Sequence, residues 1–248
     1  MIDPLDNNVP PVRHVQSPET VEVIIDALLD IAEPEQQPTV AIYPNSFTAQ
    51  TGARLSNSQF ASFSTAITQA PQVFLIRALK RAAHGNFFKV TERIGLDNLT
   101  KERQLIRNTR AQFEEENALM PLIFSGMLAQ GAVVAYENNS LSGGAGARLL
   151  GVGTSRQYRE DTVTVSVRLV SVSTGEVLLE TLVRKSVLSA SITQDLFRFF
   201  TTGSELTEIE VGRVANESVH LALQAAVETA VLNLIEDGAK KAFWRLKE

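Results

Sequence analysis

The chain contains no cysteine, which removes disulfides, thiolate metal sites and cysteine nucleophiles while leaving an oxidising compartment open. Histidine is scarce: His14, His84 and His220 are the only three. They lie far apart with no partner at ligand spacing, so no metal site is read from them. His220, beside an apolar helix face, reads as a helix-surface residue. No Lys/Arg run interleaved with aromatics occurs and the net charge is -5, which argues against nucleic acid as a partner. In Gly144-Ala145-Gly146-Ala147-Arg148-Leu149 the last position of a dinucleotide fingerprint is Leu, no Gly-Lys-Ser/Thr follows, and no Gly-x-Ser-x-Gly elbow occurs. Glu114-Glu115-Glu116 and Glu160-Asp161 read as solvated faces rather than acid/base dyads. Neither a catalytic constellation nor a cofactor is expected. Met1-Ile2-Asp3-Pro4 lacks the basic and apolar regions of a secretory leader, which leaves a cytosolic protein or one whose leader has been removed.

What is present is enough apolar material for a core: 44% of 248 residues are hydrophobic and 21% charged. Residues 1–17, rich in Pro, Asn and Asp, read as an extended arm, and 18–248 as a single unit. Ser17 and Pro18 open a predicted helix whose apolar face is Val21, Ile24, Ile25, Leu28, Leu29 and Ala32, ending before Pro34. Thr39 to Tyr43 reads as a strand stopped by Pro44-Asn45, and Ser46 to Ser62 as a long loop. A helix from Phe63 to Ala83 uses Phe63, Ile67, Val73, Phe74, Ile76, Ala78 and Leu79, with a break or restart at Pro71. Phe87 to Val90 reads as a strand and Thr100 to Phe113 as a helix.

Ala118 to Tyr136 is uncharged and long enough to cross a bilayer, but Pro121, Ser125, Gly126, Gln130 and Gly131 interrupt it. It reads as a buried helix end followed by a strand from Leu128 to Tyr136. After the glycine-rich ribbon Asn138 to Arg159, Thr162 to Val170 alternates with period two. The turn Ser173-Thr174-Gly175-Glu176 then makes a β-hairpin with Val177-Leu178-Leu179. The last helix presents Val219, Leu223, Ala226, Val227, Ala230, Val231, Leu234 and Ile235 on one face, with a break at Gly238 before Phe243, Trp244 and Leu246. The fold class is α+β.

Two stretches suit transmembrane β-hairpins, about 137–159 and about 183–206, with Leu149, Val152, Tyr158 and Val187 along them and Phe197, Phe199 and Phe200 as interfacial aromatics. Two hairpins cannot close a barrel, and an open edge in lipid leaves unpaired backbone groups. Several subunits would therefore share one barrel.

Motifs along most of the chain carry a resemblance. They are Thr91-Glu92-Arg93-Ile94-Gly95-Leu96-Asp97-Asn98-Leu99 with Glu102-Arg103; Tyr136-Glu137-Asn138 with Ser142-Gly143-Gly144-Ala145-Gly146-Ala147-Arg148; and Val172-Ser173-Thr174-Gly175-Glu176. Phe197-Arg198-Phe199, Glu210-Val211-Gly212, Asn216-Glu217 and Glu228-Thr229-Ala230 continue the series. In this order the chain resembles the curli production assembly/transport (CsgG-type) outer-membrane secretion channel family. The resemblance implies a periplasmic α+β domain with two membrane hairpins per subunit, and a homo-oligomer of about nine subunits sharing a barrel of about 36 strands. It implies a pore for unfolded amyloid-fibre subunits, working with periplasmic accessory and extracellular nucleator proteins. The constriction loop would be about 50–63. Phe63 corresponds to the family's constriction phenylalanine and Ser62 stands where the family has asparagine. Phe60 or Ser58 could take the place of its tyrosine, and Asn57 could supply an amide. The family's acylated N-terminal cysteine has no counterpart, so either it was removed or this homologue inserts unlipidated. The competing reading is a soluble periplasmic adaptor whose hairpins pack on a partner.

Overall fold

Val40, Ala41 and Ile42 form an unbroken apolar run, the pattern of a strand covered on both faces. In the computed structural model all three are buried in β1 (Thr39–Ile42). The structure describes residues 22–49, 68, 70–113, 119–142, 157–192, 196–201 and 217–247, with side chains outside 138–142, 157–159, 188–192, 196–201, 217 and 218. β1 lies between two parallel neighbours, β3 (Lys89–Glu92) and the foot of β4 (Met127–Ser142). Where β1 ends, the chain turns at Asn45 and β2 (Phe47–Ala49) takes over the same edge of β4, pairing with Gly131 to Val133. Gly131 N donates to Ser46 O at 2.8 Å to seal the junction. Expected as loop, residues 47–49 are strand, because three residues are too few to show a period of two.

β4, β5 (Gln157–Ser171) and β6 (Val177–Ile192) are long antiparallel neighbours, and β7 (Leu196–Thr201) pairs with β6. The order β3-β1-β4-β5-β6-β7, with β2 on β4, makes one sheet that does not close on itself. Alternation places Val163, Val165, Val167 and Leu169 of β5 on the buried face with Leu179, Val183 and Val187 of β6. The expected turn joins these strands, with Ser171 N donating to Glu176 O at 2.8 Å. Gly131 sits where an added Cβ would meet Ser166 O at 2.1 Å and the Phe47 ring at 2.9 Å. Only glycine lets β2 seat its aromatic ring against β4 there.

The buried sheet face is covered by α4 (Glu217–Lys240), which packs on β5 and β6, with α2 (Gln72–Arg81) and α1 (Asp26–Leu29) against it. All eight residues expected on the apolar face of α4 are buried. This helix is long and apolar enough to cross a membrane, but its apolar side chains fill the core between sheet and helices. α2 starts directly after Pro71; its buried residues are Leu75, Ala78 and Leu79, and Val73, expected on the inner face, is exposed.

Several expectations are corrected. The helix predicted up to Ala32 is one turn among the described residues: the Glu228 carboxylate takes the N–H groups of Ile24 and Ile25 at 2.8 and 2.9 Å, and this long-range bonding holds the chain extended there. The apolar run before β4 is not a buried helix end. Residues 119–126 have no helix, and Met120 and Phe124 are 81% and 87% exposed. α3 (Leu96–Gln112) starts four residues earlier than Thr100, directly after Gly95, whose N–H donates to Glu92 Oε1 at 2.6 Å. Phe87 and Phe88 precede β3 instead of opening it, and pack edge-on against Trp244. Nor does Gly238 break α4. The helix runs on to Lys240 because the Trp244 ring folds back over Gly238 and its Nε1 donates to Ile235 O at 2.9 Å.

Candidate functional site

The strand residues expected to leave the domain as hairpins rise from a polar belt across β4, β5 and β6. Tyr136 Oη donates to Asp161 Oδ1 at 2.7 Å, Thr162 and Ser186 hydroxyls pair at 2.7 Å, and Arg184 bridges to Glu137 at 2.8 Å. Asp161 is fully buried and Glu160 half-buried, which corrects the expectation that this pair forms a solvated face. A β-bulge at Val133 to Ala135 lies just before the belt and re-aims β4, so that Tyr136 reaches inward to the carboxylate.

Beyond the belt the backbone ladders continue, β4 with β5 up to Ser142 opposite Gln157, and β6 with β7 from Val187–Thr201 to Ile192–Leu196. Tyr158 pairs with Leu141 and Ala190, Phe197 with Ser191, and Phe199 with Ser189. Val187 is packed in the core at the foot of this region. Leu149 and Val152 lie outside the described residues, as do Asn57, Ser58, Phe60, Ser62 and Phe63. The segment carrying the last five joins the end of β2, on the edge of β4 beside Val133, to α2. Glu114-Glu115-Glu116 is likewise outside the described residues. His220 is exposed on α4.

One buried charge was not anticipated by the absence of catalytic motifs. Glu228, 1% exposed on α4, accepts from Gln224 Nε2 at 2.7 Å besides the two backbone N–H groups. Burial pushes its carboxyl above the usual carboxylate range, against the opposing pull of these hydrogen bonds and of nearby Arg77. Among the described residues, Arg77 Nε and Nη2 are themselves buried without hydrogen-bond partners. The signal in the sequence is Gln224 and Glu228, four residues apart inside the mostly apolar stretch Leu221 to Leu232 of this helix. Among the described residues no three His, Asp or Glu gather as a metal site would require.

Residues 22–248 match the family described as curli production assembly/transport component CsgG. The CsgG proteins of Escherichia coli K12 and Citrobacter koseri are each 38% identical over 191 residues, covering 75% of this chain and 68% of theirs. Among solved structures, a Xanthomonas campestris protein and a neuraminyllactose-binding hemagglutinin homolog from Helicobacter pylori align with a TM-score of 0.37 at 10% and 9% identity, covering 86% and 92% of this chain and 91% and 95% of theirs. That likeness is too weak to bear on the fold. The family match over residues 22–248 and the identity to the curated relatives agree with the motifs quoted above, and the chain belongs to the CsgG family of curli production assembly/transport components.

Proposed function

We propose that the chain is one subunit of a homo-oligomeric outer-membrane pore that exports unfolded, curli-like fibre subunits from the periplasm. The observation that carries this reading is the order of the sheet. β4, β5, β6 and β7 are consecutive antiparallel neighbours at one end of it, and neither lateral edge is closed. Among the described residues β4 beyond Val133 has a partner only in β5, and β7 only in β6. In lipid, each unpaired backbone group along such edges costs several kcal/mol. Pairing the β7 edge of one copy with the β4 edge of the next removes that cost and gives four strands per subunit, so about nine subunits make about 36 strands.

In this reading the bulk of the domain lies in the periplasm and the segment about 50–63 lines the narrowest ring, with Phe63 as its aromatic and Asn57, Ser58, Phe60 and Ser62 around it. Aromatic and small polar side chains offer weak, sequence-tolerant contacts, so an extended chain passes and a folded one does not. Nucleotide plays no part; periplasmic accessory and extracellular nucleator proteins supply direction. The test is planar-bilayer conductance of detergent-extracted protein, wild type against Phe63→Ala. Large, stable channels that conduct more in the variant support both pore and constriction. Unchanged conductance moves the constriction to Phe60 or Asn57, and no channels from a well-folded oligomer favours the soluble adaptor.

A further inference from the structure

Residues 22–25 lie outside helix and strand, just ahead of the single turn of α1. Backbone in that state needs partners for its N–H and C=O groups from elsewhere in the fold. Two side chains of α4 supply them. Gln224 Nε2 donates to Glu22 O at 2.6 Å, and Glu228 Oε2 accepts from Ile24 N and Ile25 N at 2.8 and 2.9 Å. The same Gln224 amide donates to Glu228 Oε1 at 2.7 Å, so the two side chains act as one clamp. Both are buried, whereas Val23 and Ile25 of the clamped segment are only half-buried against the core. Lifting this segment uncovers little apolar surface, but it strips the Glu228 carboxylate of two hydrogen-bond donors.

Beside the clamp stands a cation with the opposite need. Arg77 belongs to α2, which packs on α4, and its Nε and Nη2 are buried and bonded to nothing among the described residues. Its own stretch of chain offers no counter-ion, since residues 36–91 contain no Asp or Glu. Glu22, Asp26 and Asp30, in the clamped segment and α1, are exposed. Glu228 is buried and close enough to feel the charge of Arg77, yet its oxygens are taken by the clamped segment and Gln224. A buried guanidinium without a partner is unfavourable, and its pairing with a carboxylate is among the strong hydrogen-bonded contacts.

We propose that residues 22–25 are a releasable strap and that Glu228 is a two-position latch, bonded to the strap when closed and to Arg77 when the strap lifts. The closed position satisfies the strap backbone and leaves Arg77 unpaired. The open position pairs Arg77 and gives the strap N–H groups to water. Each position offsets what the other loses, which keeps the two near in free energy. Fully buried Leu28 holds α1 in the core in both, so what moves is the chain just ahead of it. The latch stands within a single chain and does not depend on the pore reading.

The test is hydrogen–deuterium exchange of the full chain extracted in detergent, comparing the amides of 22–25 with those of 163–167 in β5. In the wild type the strap is expected to exchange about tenfold faster than β5 or more, through local opening. Arg77→Met removes the receiving group but keeps an apolar side chain, and is expected to slow strap exchange about tenfold. Removing a merely structural arginine would leave that exchange unchanged or speed it. Glu228→Gln is expected to speed it, and in that background Arg77→Met should alter it by less than about twofold. Circular dichroism and Trp244 fluorescence report folding. If Glu228→Gln does not fold, Gln224→Met replaces it, expected to speed strap exchange while Arg77→Met still slows it. A strap that exchanges only together with β5 overturns the latch, as does an Arg77→Met strap that exchanges as fast as wild type or faster. An equal effect of Arg77→Met with and without the Glu228 carboxylate shows Arg77 responding to its own burial and overturns the transfer.

Discussion

Replacing Gly238 by alanine sets two effects of opposite sign against each other. Gly238 lies inside α4, where glycine costs about 1 kcal/mol relative to alanine through backbone entropy, so helix propensity alone predicts stabilisation. The structure predicts the reverse. An added Cβ would lie 2.0, 2.4 and 2.5 Å from the Trp244 ring atoms Cζ2, Cη2 and Cε2. That ring is wedged edge-on against Phe87 and Phe88, with its Nε1 bonded to Ile235 O. Shifting helix and ring apart costs about 1–3 kcal/mol as overpacking, and expelling the indole altogether costs about 3–5 kcal/mol. The cheaper response sets the cost, so after subtracting the propensity gain Gly238→Ala is expected to destabilise by about 1 kcal/mol. Trp244 is the only tryptophan, so urea unfolding followed by its fluorescence reads the site directly, and an expelled ring shifts emission to the red before the main transition. Gly126→Ala is the control, since its Cβ would find only ordinary contact with Thr39 at 3.6 Å. A Gly238→Ala protein as stable as wild type, with unshifted emission, would refute the packing argument.

Other sites give sharper or milder effects. Gly131→Ala should prevent stable folding, because its Cβ would strike the Ser166 carbonyl at 2.1 Å and backbone cannot yield as a side chain does; soluble or detergent-extracted protein with wild-type circular dichroism would contradict this. Tyr136→Phe should cost about 1–3 kcal/mol by withdrawing one hydrogen bond from buried Asp161, and an unchanged urea midpoint would show the belt to be unimportant for stability. Glu228 supplies a pH dependence: its carboxyl is raised in the folded state, so its contribution is fully present below the unfolded value near 4.5 and is lost as pH rises through the higher folded value. Glu228→Gln should flatten the dependence of the urea midpoint on pH from about 4.5 upward, and parallel pH profiles for the two proteins would place the titration elsewhere.

Legibility in the sequence followed the physics of each element. α4 and the β5–β6 hairpin were readable because burial imposes one clear period on many residues, and all the inward positions expected on α4 are core. The helix before Pro34 is shorter than its apolar spacing suggests because Glu228, about two hundred residues away, claims the N–H groups of Ile24 and Ile25. Likewise, nothing local announces that the apolar run 119–126 lies extended on the surface, tied down by Arg93 and Arg103. Glu160-Asp161 reads as solvated in the sequence because adjacent acidic residues point to opposite faces and nothing local says which face is buried; Asp161's partner Tyr136 is adjacent only once the strands pair. The constriction residues around Phe63 came from family resemblance alone, because an aromatic in a polar loop has no period from which to argue.

The bulge between Val133 and Ala135 has a consequence for parity. In a strand every side chain's face is fixed by counting from any residue whose face is known. Val163 and Val165 anchor that count in β5, while β4 changes count by one at the bulge. The apolar core therefore sets the phase of strands that continue well past it. Inserting one residue at Thr162 would invert the two faces of β5 beyond that point, whereas the same insertion below the β5–β6 turn at Gly175 would leave that phase untouched.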